Sequence, residues 1–312
     1  KIRDNKHNLR LFLHHIASVC AHHPHSKNFF SKIERVIQIF KDDIKNYYIN
    51  PEIFTIFKKN KRILLFLIEE KMLVFDKYVA KKIITEKYVT RKYPQYFAPE
   101  MEPFTKESWF PKYDPNAENN KNEWVEEIKK ELPANFHELR KTGENERYIS
   151  KLIRDDNAED FIAYMNQGSF PLKSKIEPSI YETNAFLVKK QNESGNENKS
   201  VMFSSNQNSS NESGVTLIEY ATFFGSMQII KYLQMQGVEM TPSLWLYATH
   251  SQNAELIHFL EDSHIEPTVT VLKDYKNVEE KSYKECFSES IKCSHNDIAN
   301  YINKNYRKEP NK

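Results

Sequence analysis

The sequence predicts an all-α fold, a solenoid of repeated helical hairpins, on three observations. One segment is written twice. Ser226-Met-Gln-Ile-Ile-Lys-Tyr-Leu233 aligns with Asn253-Ala-Glu-Leu-Ile-His-Phe-Leu260, and Tyr220-Ala221 matches Tyr247-Ala248 at the same step of 27 residues. The same apolar sites recur at Asn60–Leu67, at Ala158–Met165 and at Ile298, Ala299, Tyr301 and Ile302. Helical periodicity is also plain near the N-terminus, where Ile33, Val36, Ile37 and Phe40 follow the i, i+3, i+4, i+7 spacing. Each unit reads as a short helix, a tight turn and a second helix. Neither helix can hide its apolar side alone, so neighbouring units must stack.

Residues 1–92 read as a helical region built partly of degenerate repeats. Leu9, Phe12, Leu13, Ile16 and Cys20 share one helix side, and Pro24 ends that helix. Ser26–Phe40 is an amphipathic helix with Ser26 or Ser31 as its cap. Glu52–Phe57 with Asn60–Leu67 reads as a degenerate hairpin of the repeated kind, with another beginning at Met72–Thr90; an unrelated helical N-terminal domain is the alternative. Residues 93–145 change character. Pro94, Pro99, Pro103, Pro111 and Pro115 alternate with Tyr96, Phe97, Phe104, Trp109, Phe110 and Tyr113, which predicts an extended strap packed on a helical face. A helix resumes at Glu123–Leu132 and stops at Pro133.

Residues 146–312 are the array proper. Arg147–Arg154 and Ala158–Met165 form its first hairpin, stopped by Gly168. The run from 189 to 214 is rich in Ser, Asn, Glu and Lys and is expected to be a disordered insertion. Its N-x-S/T matches at Asn192, Asn198, Asn208 and Asn211 arise easily by chance in such a composition. Pro267–Lys281 is expected as a polar loop, and Ser282–Tyr306 as the last unit, with a polar capping face.

Thr216-Leu-Ile-Glu-Tyr-Ala221 resembles the T-P-L-H-x-A opening of an ankyrin repeat. Gly225 stands where ankyrin repeats turn between helices, Gly237 where the second helix ends, and Ser243 at the Thr position of the next copy. Leu217 and Leu244 replace the usual Pro, Glu219 and Leu246 the usual His, and 27 residues is shorter than the roughly 33 of a standard repeat. The segment is most similar to the divergent ankyrin-like proteins of unknown function expanded in some parasitic protists. Two runs carry that similarity here, Thr241–Ala248 and Cys286–Tyr301. The resemblance implies a scaffold that holds other proteins.

Composition narrows the function classes. Only 3 cysteines occur, Cys20, Cys286 and Cys293, which argues against a disulfide framework and for a reducing, intracellular and cytoplasmic setting. The longest apolar run, Ile63–Ile68, is far short of the roughly 18 residues of a membrane span. The chain starts at Lys1, which reads as a piece of a longer protein. Residues 1–100 hold 20 basic and 10 acidic side chains, which leaves nucleic acid or an acidic partner as the alternative reading for that part.

Chemistry-bearing motifs are sparse. With 6 glycines there is no phosphate loop, and neither H-E-x-x-H nor G-x-S-x-G occurs. His7, His14, His15, His22, His23 and His25 crowd the N-terminus without finger-like ligand spacing. Cys20 and His22 lack a third orienting group for a nucleophile. Cys286, Cys293 and His295 read as packed residues of the last helices. The expectation is therefore a monomeric, non-catalytic protein-binding scaffold without metal or cofactor. Its predicted contact residues are Glu219, Thr222, Leu246 and Thr249 on the first helices, and Glu239, Met240, Glu266 and Pro267 at loop tips, with Trp245 packed between units.

Overall fold

The fold is seen in a computed structural model that describes residues 5–22, 28–85, 92–111, 130, 132–168, 171–192, 214–273 and 276–306. Most of these are helical, and no helix among them is long and apolar enough to cross a membrane. The chain divides into two compact units. One comprises residues 1–21, 25–145 and 179–185, the other 22–24, 146–178 and 186–312.

The first unit contains α1 (Lys6–His22), α2 (Phe29–Ile39), α3 (Lys41–Tyr47), α4 (Asn50–Phe57), α5 (Lys61–Glu69), α6 (Lys77–Thr85), α7 (Tyr93–Tyr96), α8 (Ala98–Met101) and α9 (Phe136–Thr142). Leu9, Leu13, Ile16 and Cys20 of α1 are buried in a core shared with Ile37, Phe54, Ile63, Leu67, Tyr96 and Phe97. The expected hairpin is α4 packed on α5. Asn60 caps α5 by accepting from the Ile63 N–H at 3.0 Å, and donates to the Cys20 carbonyl at 2.7 Å. At α2 the N-cap position is Asn28, left-handed at φ 65° and without a side-chain cap bond; Ser31 lies within the helix, and Ser26 lies outside the described residues.

The strap is corrected. Tyr93–Phe104 is not extended; it folds as α7, α8 and a 3-10 turn over Glu102–Phe104, each with Pro in its first turn, where the missing N–H has no helical partner to lose. Its aromatics are packed as expected, with Tyr93, Tyr96 and Phe97 buried. The helix expected at Glu123–Leu132 lies almost wholly outside the described residues.

Several basic side chains of this unit serve its interior. Lys61 is 2% exposed, with its ammonium 5.7 and 5.4 Å from the Tyr93 and Tyr96 ring centres. Arg140 grips Glu100 at 2.9 and 2.7 Å, and the Tyr96 hydroxyl donates to the Arg140 carbonyl at 2.6 Å. Arg62 pairs with Glu34 and donates to the Lys141 carbonyl.

The second unit holds four helical hairpins: α10 (Tyr148–Arg154) with α11 (Ala158–Asn166), α13 (Leu217–Phe224) with α14 (Met227–Met235), α15 (Leu244–Ala248) with α16 (Ala254–Asp262), and α17 (Lys284–Lys292) with α18 (Asn296–Asn305); α12 (Ala185–Asn192) lies between the first two. First helices pack in succession, α10 on α13, α13 on α15 and α15 on α17. One core runs through them from Ile149 to Ile302.

Every hairpin turns on one left-handed residue placed just before the cap of its second helix: Asp156 at φ 48°, Gly225 at 71°, Gln252 at 55° and Ser294 at 61°. Neighbours are tied by their caps. The Asp156 carboxylate accepts from the N–H groups of Gln228 and Ile229 at 3.1 Å each, at the start of α14. Thr216 and Glu219 form a capping box, and the other Glu219 oxygen accepts from Ser243 Oγ at 2.8 Å. Ser243 thus bonds back to the previous hairpin and does not cap its own helix.

Two short antiparallel sheets complete this unit. β1 (Lys175–Ile176) pairs with β2 (Val215–Thr216). The expected loop after Pro267 is corrected to a hairpin of β3 (Thr268–Lys273) and β4 (Lys276–Lys281), in register from Thr268 opposite Lys281 to Lys273 opposite Lys276. Thr-Val-Thr-Val-Leu is rich in the branched residues that suit a pleated strand. The expected disordered run is corrected at its start, where residues 189–192, with Asn192, are the end of α12; Asn198, Asn208 and Asn211 lie outside the described residues.

Candidate functional site

The predicted contact residues scatter. Thr222 and Thr249 are fully buried, and each hydroxyl donates to a carbonyl of its own helix, Ile218 and Leu246, at 2.7 Å. Leu246 is 5% exposed. These three are corrected as surface positions. Of the first helices, α13 and α15 each pack between two others and against their own second helix, which buries these positions. Glu219 is half-buried and occupied by its capping box and Ser243. Glu239 is exposed and Met240 half-buried in the loop after α14, while Pro267 is buried. Trp245 is packed as expected, fully buried against Tyr283 and Tyr306.

Glu266 alone of these lines a concave surface, a cleft of about 450 Å³. Trp245 from α15 lies behind its wall, fully buried and held by a hydrogen bond from its indole N–H to the Ile265 carbonyl at 2.6 Å. Tyr283, just before α17, stacks on Tyr306, just after α18, at 4.0 Å and 10°. Trp245 meets both edge-on, at 5.2 and 5.9 Å. The positive φ of His264 ends α16 and sends Ile265 and Glu266 along the rim.

Two carboxylates give this cleft its sign. Glu261 accepts from Tyr301 Oη at 2.9 Å and from the Tyr306 hydroxyl, and lies 2.9 Å from His258 Nδ1. Burial would raise its pKa, but these bonds outweigh burial and hold the carboxyl below its ordinary value. Burial and the same carboxylate push the Tyr306 hydroxyl up, so it stays a donor. Glu266 pairs with Lys281, whose side chain is 68% exposed. The arrangement suits a cation: aromatic rings and carboxylates around a space already visited by one ammonium.

Tyr283 and Tyr306 were not singled out in the sequence. The signal was a cluster of tyrosines around the last unit, Tyr283, Tyr301 and Tyr306, beyond what packing of two short helices requires.

Among the described residues, one group of His, Cys and acidic side chains has metal-ligand proximity: His250, Glu289 and Cys293, with ligand atoms within 4.8 Å of one another. It draws on the turn after α15 and on α17. His7, His14 and His15 are exposed along α1 and belong to no such group. Cys20 is fully buried and its thiol is pushed up to about 12 by burial, which removes it as a nucleophile at neutral pH. No family model, curated protein or solved structure matches the chain.

Proposed function

We propose that the chain is a non-catalytic protein-binding module, an ankyrin-like helical-repeat solenoid, whose cleft at Trp245, Tyr283 and Tyr306 takes a Lys or Arg side chain of its partner. The observation that carries this reading is the pairing of that aromatic cleft with Glu261 and Glu266. Glu261 is pre-oriented by its tyrosine donors, so it requires no rearrangement to face a cation. Lys281 is an exchangeable occupant. An exposed ion pair of this kind contributes about 0–1 kcal/mol, so an incoming cation displaces it at little cost.

The ankyrin-like reading is supported by successive packing of the first helices and by the left-handed turn repeated in each hairpin. The alternative, nucleic acid held by the basic first 100 residues, draws less support. Lys61 and Arg62 are buried, so part of that charge is engaged inside the unit.

The test is selection of peptides from a random display library on the purified chain. Enriched peptides should share a Lys or Arg, bind more weakly as salt rises, and lose about tenfold in affinity on Glu266→Lys, about 1.4 kcal/mol. Enrichment of peptides without a cation, or affinity indifferent to Glu266→Lys, overturns the cleft as the contact site.

A further inference from the structure

We propose that His250, Glu289 and Cys293 form a binding site for a zinc-class divalent ion, one that staples α17 to the turn between α15 and α16. This inference is independent of the protein-binding reading.

The three donors are an imidazole nitrogen, a carboxylate oxygen and a thiol sulfur. Tetrahedral zinc with bonds of about 2.0–2.3 Å sets neighbouring ligands roughly 3.3–3.8 Å apart. Glu289 Oε2 lies 3.6 Å from His250 Nε2, and Cys293 Sγ lies 3.0 Å from Nδ1 of the same ring. One ion engages one ring nitrogen, and Nε2 is the nitrogen that is open. It is buried, has no hydrogen-bond partner, and faces the carboxylate at a distance too long for a hydrogen bond. A buried unpaired ring nitrogen costs free energy unless something occupies it. With the ion at Nε2, Oε2 is already in place, and the Cys293 side chain leaves its contact with Nδ1 to bring Sγ to the ion.

The surroundings suit that occupant. The imidazole is fully buried and packs against the Phe186 ring at 4.2 Å and 33° and that of Phe223 at 5.0 Å and 28°, which restrains its plane. Lys292 Nζ holds Glu289 Oε1 at 2.5 Å and leaves Oε2 directed at the ring. That is the supporting hydrogen bond a ligating carboxylate ordinarily has. Thiolate plus carboxylate balance a divalent charge, and a sulfur donor selects zinc-class ions over magnesium or calcium. On binding, the metal–sulfur bond forms as the thiol proton leaves to solvent.

The test uses the full chain without a histidine tag, titrated with Co²⁺ and then Zn²⁺. One equivalent of Co²⁺ should bind, show tetrahedral d–d bands and a thiolate-to-cobalt charge-transfer band, and be displaced by Zn²⁺. Cys293→Ser should abolish the charge-transfer band, while Cys20→Ser and Cys286→Ser keep it. Lys292→Ala, which removes only the supporting bond, should weaken binding about tenfold. Absence of stoichiometric binding by the unsubstituted chain, or a charge-transfer band that survives in folded Cys293→Ser, overturns the site. The unsubstituted titration decides the matter even if a variant fails to fold.

Discussion

The hairpins α13–α14 and α15–α16 are two copies of one sequence pattern, and they solve the same turn with different residues. At the same point of the 27-residue step, Gly225 stands at φ 71° and Gln252 at φ 55°. What the unit demands is a left-handed backbone, not a glycine. The first copy favours glycine for a second reason, crowding. A Cβ at Gly225 would come within 3.2 Å of Ser251 Cβ and 3.4 Å of Asn253 Cβ, the turn of the next hairpin. The caps differ as well. Thr216 closes a capping box, while its counterpart Ser243 spends its hydroxyl on Glu219 and ties the copies together.

The comparison breaks most severely at Trp245, whose counterpart in the earlier copy is Ile218. Trp245→Ala should lower stability by about 3–5 kcal/mol in denaturant unfolding, since the indole is fully enclosed and its N–H is satisfied. A loss below about 1 kcal/mol would mean the last two hairpins do not depend on it. Gly225→Ala should cost about 1–2 kcal/mol from the left-handed backbone alone, with crowding against Ser251 in addition. Glu219→Ala should cost about 1–2 kcal/mol, because it removes both a cap and the Ser243 tie. Gln252→Gly sharpens the comparison in the opposite direction. It should raise stability by about 0.5–1 kcal/mol by relieving φ 55°, whereas Asp156→Gly should not, since it loses the carboxylate that caps α14.

Acid provides a separate test at the cleft. The Glu261 carboxyl is held below its ordinary value in the fold, so it contributes stability above that value and loses it as pH falls through the folded pKa. Thermal unfolding should therefore show a decline in melting temperature below about pH 4.5 that Glu261→Gln flattens. An unchanged acid limb would show that the tyrosine donors do not favour the ionised carboxylate.

Most hairpins were legible because local rules set them: apolar spacing, a small polar cap, a glycine stop at Gly168 and Gly237. Trp245 was legible because a large indole on a short apolar helix has few alternatives to the core. The exposure of Thr222, Leu246 and Thr249 was misread because their burial comes from the neighbouring hairpins, which spacing within one hairpin does not reveal. β3 left a trace in Thr268-Val-Thr-Val-Leu272, but its partner Lys-Asn-Val-Glu-Glu-Lys reads as polar loop. The cleft was opaque for a further reason. Trp245, Glu266, Tyr283 and Tyr306 meet only through the packing of two hairpins and a strand pair. The meeting of His250 with Cys293 was equally hidden, since 43 residues separate them.

Asp156 reaches over an interval of more than 70 residues to finish the helix that begins at Met227. That bond, the burial of Ser226 Oγ against the Ile153 carbonyl and the strand pair at Lys175 and Thr216 all join the flanks of the interval directly. Continuity of the peptide chain across 193–213 is therefore dispensable for that junction. A cut there should yield two fragments that travel as one particle under native conditions and part only in denaturant.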